Sequence, residues 1–251
     1  MTRRAAISTK PKSVLSHSDS NHARSTNQNP KCDLPDAKRI VIVDDHPLFR
    51  KGLEQLINSE NSFAICGEAG TAAEGMEVIR KLNPDLAIVD LSLPGANGIE
   101  LIKNIRAEFV NLPILVLSMH DESLYALRAL RAGAEGYVMK HEAMANVIHA
   151  IHEVFNGRPY LSPAMAAQVI TKFAHRQSED ETDAVERLSD RELEILEFIG
   201  KGKDVREIAK LLHLSPKTVE THRSHIKDKL DLKNSREVAR FALQWLSTRN
   251  A

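Results

Sequence analysis

From residue 39 onward the chain alternates short runs of β-branched and other apolar residues with longer stretches in which apolar positions recur every three to four residues. Buried strands separated by amphipathic helices are the pattern of a parallel sheet covered on both faces. The short runs predict strands over 39–43, 63–68, 86–91, 114–118 and 136–139. The periodic stretches predict helices over 47–58, 72–82, 98–108, 122–132 and 142–155. Pro84 and Pro113 precede the third and fourth strands, where a preceding helix has to end. Five such units over 38–160 make one α/β domain, a doubly wound five-stranded parallel sheet.

Beyond Asn156-Gly157 the pattern changes. Residues 161–176 predict a short helix, and 177–183 are acidic without apolar periodicity, so 161–184 is a linker. Only helical periodicity remains from Leu188, which makes 185–251 a smaller all-α domain. Ser189 with Glu192 three residues later is a capping-box start for a helix reaching about Gly200. Asp204 can cap a second helix over 205–212, and Ser215-Pro216 opens a third that runs to about Leu230. Asn234 or Ser235 opens a fourth. Two short helices joined by the tight turn at His213-Leu214 form a helix-turn-helix, whose second helix suits a DNA major groove.

Composition adds limits. The 251 residues carry 34 Lys plus Arg against 34 Asp plus Glu, yet the neutral total hides blocks of +3 (1–37), −4 (38–160), −2 (161–184) and +3 (185–251). Apolar residues at 42% and charged residues at 27% exclude a fibrous or wholly disordered chain. The first 37 residues are polar and basic, with too little apolar surface to offset the entropy of ordering, and predict a disordered tail. Arg3 and Arg4 there are followed by no apolar segment of an export signal. No apolar run approaches the roughly 20 residues of a membrane span, so no membrane partner is expected. Cys32 and Cys66 are too few for a disulfide framework or a structural zinc site, which fits a reducing, cytoplasmic compartment.

Ligands of open parallel sheets sit beyond the carboxyl ends of the strands, so chemistry is sought there. The first predicted strand ends in Asp44-Asp45, the third in Asp90, the fourth in Ser118, and the fifth runs into Lys140. Carboxylates gathered on one rim repel unless a cation joins them, and hard oxygen donors suit Mg²⁺. With a hydroxyl and an ammonium group beside it, such a cluster can hold a phosphoryl group, with Asp90 as nucleophile, Lys140 neutralising charge and Ser118 donating a hydrogen bond.

At Val43-Asp44-Asp45-His46-Pro47, Pro84 to Leu91, Leu117-Ser118-Met119-His120 and Arg131 to Lys140 the chain resembles the receiver domain of two-component response regulators, in particular the NarL/FixJ family. The resemblance covers roughly 39–160 and implies a sheet of order 2-1-3-4-5. It implies phosphoryl transfer from a sensor histidine kinase to Asp90. It also implies Mg²⁺ held by Asp45, Asp90 and the carbonyl of Ser92, with Asp44 acting through a metal-bound water, and Ser118 and Tyr137 as a switch pair that moves inward on phosphorylation. Leu93 and Asn97 replace a common Met and Asp of the family, but the turn chemistry of Pro94, Gly95, Asn97 and Gly98 persists. Met119 and His120 stand where some receivers have a very small residue, an arrangement that would restrict water at a phosphorylated Asp90.

The second domain is similar to the LuxR-type helix-turn-helix through Leu188 to Glu192, Glu207-Ile208-Ala209, Leu214 to His222 and Lys229-Leu230. Residues 203–240 hold ten Lys or Arg and six acidic groups, a modest excess for phosphate contacts. By the resemblance Lys217, Glu220, Thr221 and Ser224 are candidates for base edges, and His222, Arg223 and Lys227 for phosphates, with Thr218 inside the same segment. Glu220, where some relatives have Lys, can accept from cytosine N4 or pair with Arg223 or a neighbouring Lys. Asp231 stands where the family often has Gly.

The expectation is a DNA-binding response regulator that dimerises when phosphorylated, reads double-stranded DNA and acts on RNA polymerase. The competing class is an aspartyl-phosphate phosphatase, which usually carries a second acid two residues after its nucleophile. Here that position is Ser92, so the chain is not expected to turn over an external substrate. A receiver that no longer uses phosphate is a third reading, and intact Asp44, Asp45, Asp90, Ser118 and Lys140 argue against it.

Overall fold

The computed structural model describes residue 32, residues 36–174 and residues 184–248. Most of the tail over 1–37 and the acidic stretch 177–183 of the linker lie outside the described residues. The α/β domain runs β1 (Lys38–Val43), α1 (Pro47–Ser59), β2 (Phe63–Ala69), α2 (Ala72–Leu82), β3 (Leu86–Asp90), β4 (Ser92–Leu93), β5 (Ala96–Asn97), α3 (Gly98–Glu108), β6 (Ile114–Ser118), α4 (Glu122–Ala132), β7 (Gly136–Met139) and α5 (Ala143–Phe155). The main sheet has order β2-β1-β3-β6-β7 with every pairing parallel. This is the predicted 2-1-3-4-5 order once the antiparallel hairpin β4-β5 is set aside. That hairpin is missing from the sequence reading because two-residue strands have no periodicity to detect.

Alternate side chains of each strand feed different faces. Ile40, Ile42, Leu86, Ile88, Leu115 and Leu117 join Leu53 and Ile57 of α1 and Val147 and Ile151 of α5 in one apolar cluster. Val41, Val43, Ala87, Val89, Ile114 and Val116 join residues of α2, α3 and α4 in the other. Both faces of the sheet are therefore buried, which is why its strands read as continuous apolar runs. Helix starts follow the sequence: Thr71, Asn97 and Asp121 cap α2, α3 and α4 through their side-chain oxygens.

Gly98 opens α3 directly behind the acidic rim. A Cβ there would lie 2.2 Å from Asp90 O and 2.5 Å from Leu91 Cα, both backbone atoms that cannot swing aside. Gly98→Ala is expected to cost about 3 kcal/mol, the upper end for overpacking, and to displace the Asp90 loop. Urea denaturation checks the cost, and a midpoint equal to wild type would contradict it.

In the linker, α6 (Pro163–Ala174) packs on α4; the second unit comprises a short 3₁₀ turn (Ala184–Arg187), α7 (Asp190–Gly200), α8 (Val205–Leu211), α9 (Pro216–Lys229) and α10 (Ser235–Ser247). Capping boxes at Ser189–Glu192 and Asp204–Glu207 set the starts of α7 and α8, and Ser215 caps α9 ahead of Pro216. Val219 and Ile226 of α9 and Leu230 at its C-cap are buried against this unit's core. Asp231 has φ +53°, a left-handed conformation that explains the family's frequent Gly and that Asp tolerates.

One expectation is corrected. Cys32 and Cys66 form a disulfide, with Cα atoms 5.6 Å apart, although two cysteines gave no such pairing in the sequence. The partners are 34 residues apart, and pairing depends on spatial approach, which a count of cysteines does not capture. Among the described residues no helix is long and apolar enough to cross a membrane.

Candidate phosphoacceptor site and nucleic-acid interface

The strand ends bring the predicted acidic residues together. Ligand oxygens of Asp44, Asp45 and Asp90 and a nitrogen of His46 lie within 4.8 Å of one another. Asp44 and Asp90 are 2% and 1% exposed, so neither charge is hydrated well enough to stand alone. Lys140, itself buried, lies 2.7 Å from Asp44 Oδ2 and 2.7 Å from Asp90 Oδ2. Asp44 Oδ1 accepts from His46 N at 2.8 Å, and Asp90 Oδ1 from Ser92 N at 3.1 Å.

Burial lifts the Asp90 carboxyl to about 6; the Asp44 charge adds to this, while Lys140 and the Ser92 N–H oppose it. A metal fits this donor set. Asp45 Oδ1 is buried with no hydrogen bond, and its near neighbour is His46 Nδ1 at 2.5 Å. Buried carboxylate oxygens in excess of their donors are what a hard divalent ion joins.

Ser118 is fully buried, and its Oγ accepts from His120 N at 3.0 Å. Tyr137 is buried, and its hydroxyl donates to His120 O at 2.8 Å. Met119 is 65% exposed.

His120 instead turns into the protein. Its Nε2 lies 3.0 Å from Ser92 Oγ, and its Nδ1 lies 3.2 Å from Glu197 Oε2 on α7. Tyr125 OH of α4 donates to the same Glu197 oxygen at 2.8 Å. Burial pushes the Glu197 carboxyl up, but His120, Lys201 and Tyr125 together hold it below the usual carboxylate range. Nearby, Arg128 of α4 donates to Leu188 O (2.8 Å), Asp190 Oδ1 (3.1 Å) and Val185 O (3.1 Å), and Lys103 reaches Asp190 Oδ2 at 3.2 Å. Tyr125, Ala129, Val185, Leu188, Leu193 and Leu196 belong to one apolar cluster. The two domains are thus docked through α4 and one face of α7 from Asp190 to Glu197, a contact invisible to sequence reading because its partners stand about 60 to 77 positions apart.

On α9, Lys217, Glu220, Thr221 and Ser224 are all exposed, as base-edge candidates must be. In this docked arrangement the receiver therefore leaves their face open. Thr218 is half-buried, and its Oγ1 meets Ser215 Oγ at 2.8 Å. Glu220 pairs with Arg223 at 3.2 Å, the second of the two roles open to it. Arg223 and Lys227 are half-buried, and Lys227 lies 3.3 Å from Asp228. His222 is half-buried: its Nδ1 is buried, and burial lowers its proton affinity.

The sheet topology, the acidic rim with its lysine and the capped helix-turn-helix define a receiver domain joined to a LuxR-type module. Comparison with known proteins agrees. Residues 40–152 match the response regulator receiver domain, and residues 186–242 match bacterial regulatory proteins of the luxR family. The oxygen regulatory protein NreC of Staphylococcus carnosus is 37% identical over 213 residues, covering 82% of this chain and 97% of NreC. RcsB of Salmonella enterica serovar Typhimurium, solved on promoter rprA with the phosphomimetic BeF3-, has a TM-score of 0.55 at 27% identity over 82% of this chain and 98% of RcsB. A LuxR-family response regulator from Aurantimonas sp. SI85-9A1 has a TM-score of 0.52 at 38% identity, over 55% of this chain and 99% of that one. The chain belongs to the LuxR-family response regulators of two-component systems.

Proposed function

We propose that the chain is a phosphorylation-controlled transcription regulator that works in the cytoplasm. The observation that carries this reading is the Lys140 ammonium between the buried carboxylates of Asp44 and Asp90, at one end of a chain whose other end presents an open recognition helix. A carboxylate oxygen of Asp90 attacks the phosphorus of a phosphohistidine on the sensor kinase. The P–N bond breaks, and the imidazole leaves with its electron pair. Asp44, Asp45, Asp90 and Ser92 would hold Mg²⁺, which when bound offsets the negative charge of the incoming phosphoryl oxygens. Lys140 neutralises an equatorial oxygen, and Ser118 donates a hydrogen bond to another. No external substrate is turned over; the chemistry ends with this transfer and hydrolysis of the acyl phosphate.

Phosphorylation shifts the balance between the docked and released arrangements of the two domains. Docking leaves the recognition face open, so what release adds is pairing: the released form dimerises on two DNA half-sites and engages RNA polymerase. Lys217, Glu220, Thr221 and Ser224 face the bases, with Lys227 and a released Arg223 near the backbone. The test is DNA affinity with and without beryllofluoride in wild type and Asp90→Ala. Tighter binding in wild type alone supports the reading, and an equal response of both proteins overturns it.

Glu197 offers a second measurement. Glu197→Ala removes the acceptor shared by His120 and Tyr125 and so favours release. Its basal DNA affinity is expected to rise about tenfold, the effect of roughly 1.4 kcal/mol lost from docking. Fluorescence anisotropy without phosphodonor checks it, and an unchanged basal affinity would show that this contact does not restrain the helices.

A further inference from the structure

The helical domain holds a second convergence of ligand atoms that the phosphorylation reading leaves unused. Ligand atoms of Glu192 on α7 and of His222 and His225 on α9 lie within 4.8 Å of one another. Glu192 is 3% exposed, and one of its oxygens is committed: Oε2 accepts from Ser189 N at 2.7 Å and from Lys229 Nζ at 2.6 Å. The other, Oε1, faces His225 Nδ1 at 3.7 Å, too long for a hydrogen bond and suited to two donors sharing an ion. His222 Nδ1 is buried with no hydrogen-bond partner. A partnerless buried nitrogen costs about 1–3 kcal/mol, so it calls for a ligand to account for it.

The chemistry of the three groups narrows the ligand. Two imidazoles and one carboxylate suit Zn²⁺ and its neighbours, whereas Mg²⁺ prefers oxygen throughout. His222 and His225 stand three residues apart on one helix face, which places their rings side by side. The Ser189 N–H and Lys229 fix the carboxylate as outer partners of a ligand do. Lys229 also brings a positive charge that weakens the site, although its side chain is 40% exposed and can turn outward.

We propose that Glu192, His222 and His225 form a binding site for a borderline divalent cation of the Zn²⁺ class, with its fourth position open to solvent beside His225. A bound ion ties the first helix of the DNA-binding domain to the recognition helix. It stabilises that domain in proportion to the logarithm of free metal above the dissociation constant. This site does not depend on the phosphorylation reading, since it shares no residue with Asp44, Asp45 or Asp90.

The test uses the full chain with millimolar Mg²⁺ present to occupy the acidic rim. Zn²⁺ is titrated by calorimetry, and Co²⁺ by its visible absorption. His225 is 55% exposed, so His225→Ala leaves the core intact. The proposal expects one Zn²⁺ per chain, four-coordinate Co²⁺ bands, a melting temperature raised by Zn²⁺, and at least tenfold weaker binding in His225→Ala but not in Asp45→Asn. Absence of Zn²⁺ binding overturns it. So does binding that survives His225→Ala, including the case in which Asp45→Asn abolishes it and the ion belongs to the acidic rim.

Discussion

Asp90→Ala is expected to take up no phosphate from a small-molecule phosphodonor in the presence of Mg²⁺, under conditions in which wild type gains one phosphoryl group by intact mass. The nucleophile must be a carboxylate at a strand end beside Lys140, and Asp44 and Asp90 share the same kind of partners, one oxygen on Lys140 and the other on the N–H two residues on, so the variant decides between them. Phosphate found elsewhere on the chain at wild-type yield would overturn the assignment.

The same residue carries a pH signature. Burial lifts its carboxyl from 3.8 to about 6, so without metal the nucleophile becomes protonated as pH falls through 6. Phosphorylation in low Mg²⁺ is expected to slow below that pH. Stability moves the opposite way. Between pH 4 and 6 the folded chain holds a proton that the unfolded chain releases, so stability falls as pH rises across that window and levels off above it. Asp90→Asn removes this loss and is expected to be more stable than wild type by about 2–3 kcal/mol at pH 7.5 without metal, with little difference near pH 4. Urea titrations at the two pH values measure it; parallel curves for the two proteins would contradict the burial argument.

Much of the architecture was legible because its signals are local. Thr71, Asn97, Asp121 and Ser189 each cap a helix at the residue where the pattern starts one, and the strands end where the apolar runs end. The acidic rim was legible for a topological reason: carboxyl ends of parallel strands share one edge, so Asp44, Asp45, Asp90 and Lys140 have to meet. What escaped depends on distance along the chain. Nothing near Glu197 reveals that its carboxylate meets His120 and Tyr125, and nothing near Glu192 reveals the two imidazoles of α9. The surroundings of His222 escape for a related reason. Its neighbours Thr221 and Arg223 suggest a polar face, while the helical rotation turns its Nδ1 into the protein. The inward position of Tyr137 is likewise not readable, since either rotamer satisfies the same sequence.

Lys140→Ala is expected to be the most damaging single change at the rim. It removes the ammonium that lies 2.7 Å from each of two buried carboxylates and leaves both without their cation. Breaking a buried pair from one side typically costs about 3–5 kcal/mol, because the remaining charge is neither hydrated nor paired. Here the cost is expected to grow with pH, since the protein can escape it at low pH by protonating Asp90. Mg²⁺ is expected to recover part of the stability, because a divalent ion among Asp44, Asp45 and Asp90 replaces the missing positive charge. Recovery of phosphoryl transfer is not expected to follow, since the ammonium also faces the transferring group. Its loss is expected to slow the reaction by about 10²–10³-fold even at saturating metal. Thermal unfolding in EDTA and in Mg²⁺, alongside phosphorylation rates, separates the two roles. A variant as stable as wild type in EDTA would mean that Asp44 and Asp90 do not need Lys140 to remain buried. Full catalytic recovery in Mg²⁺ would reduce Lys140 to a counterion.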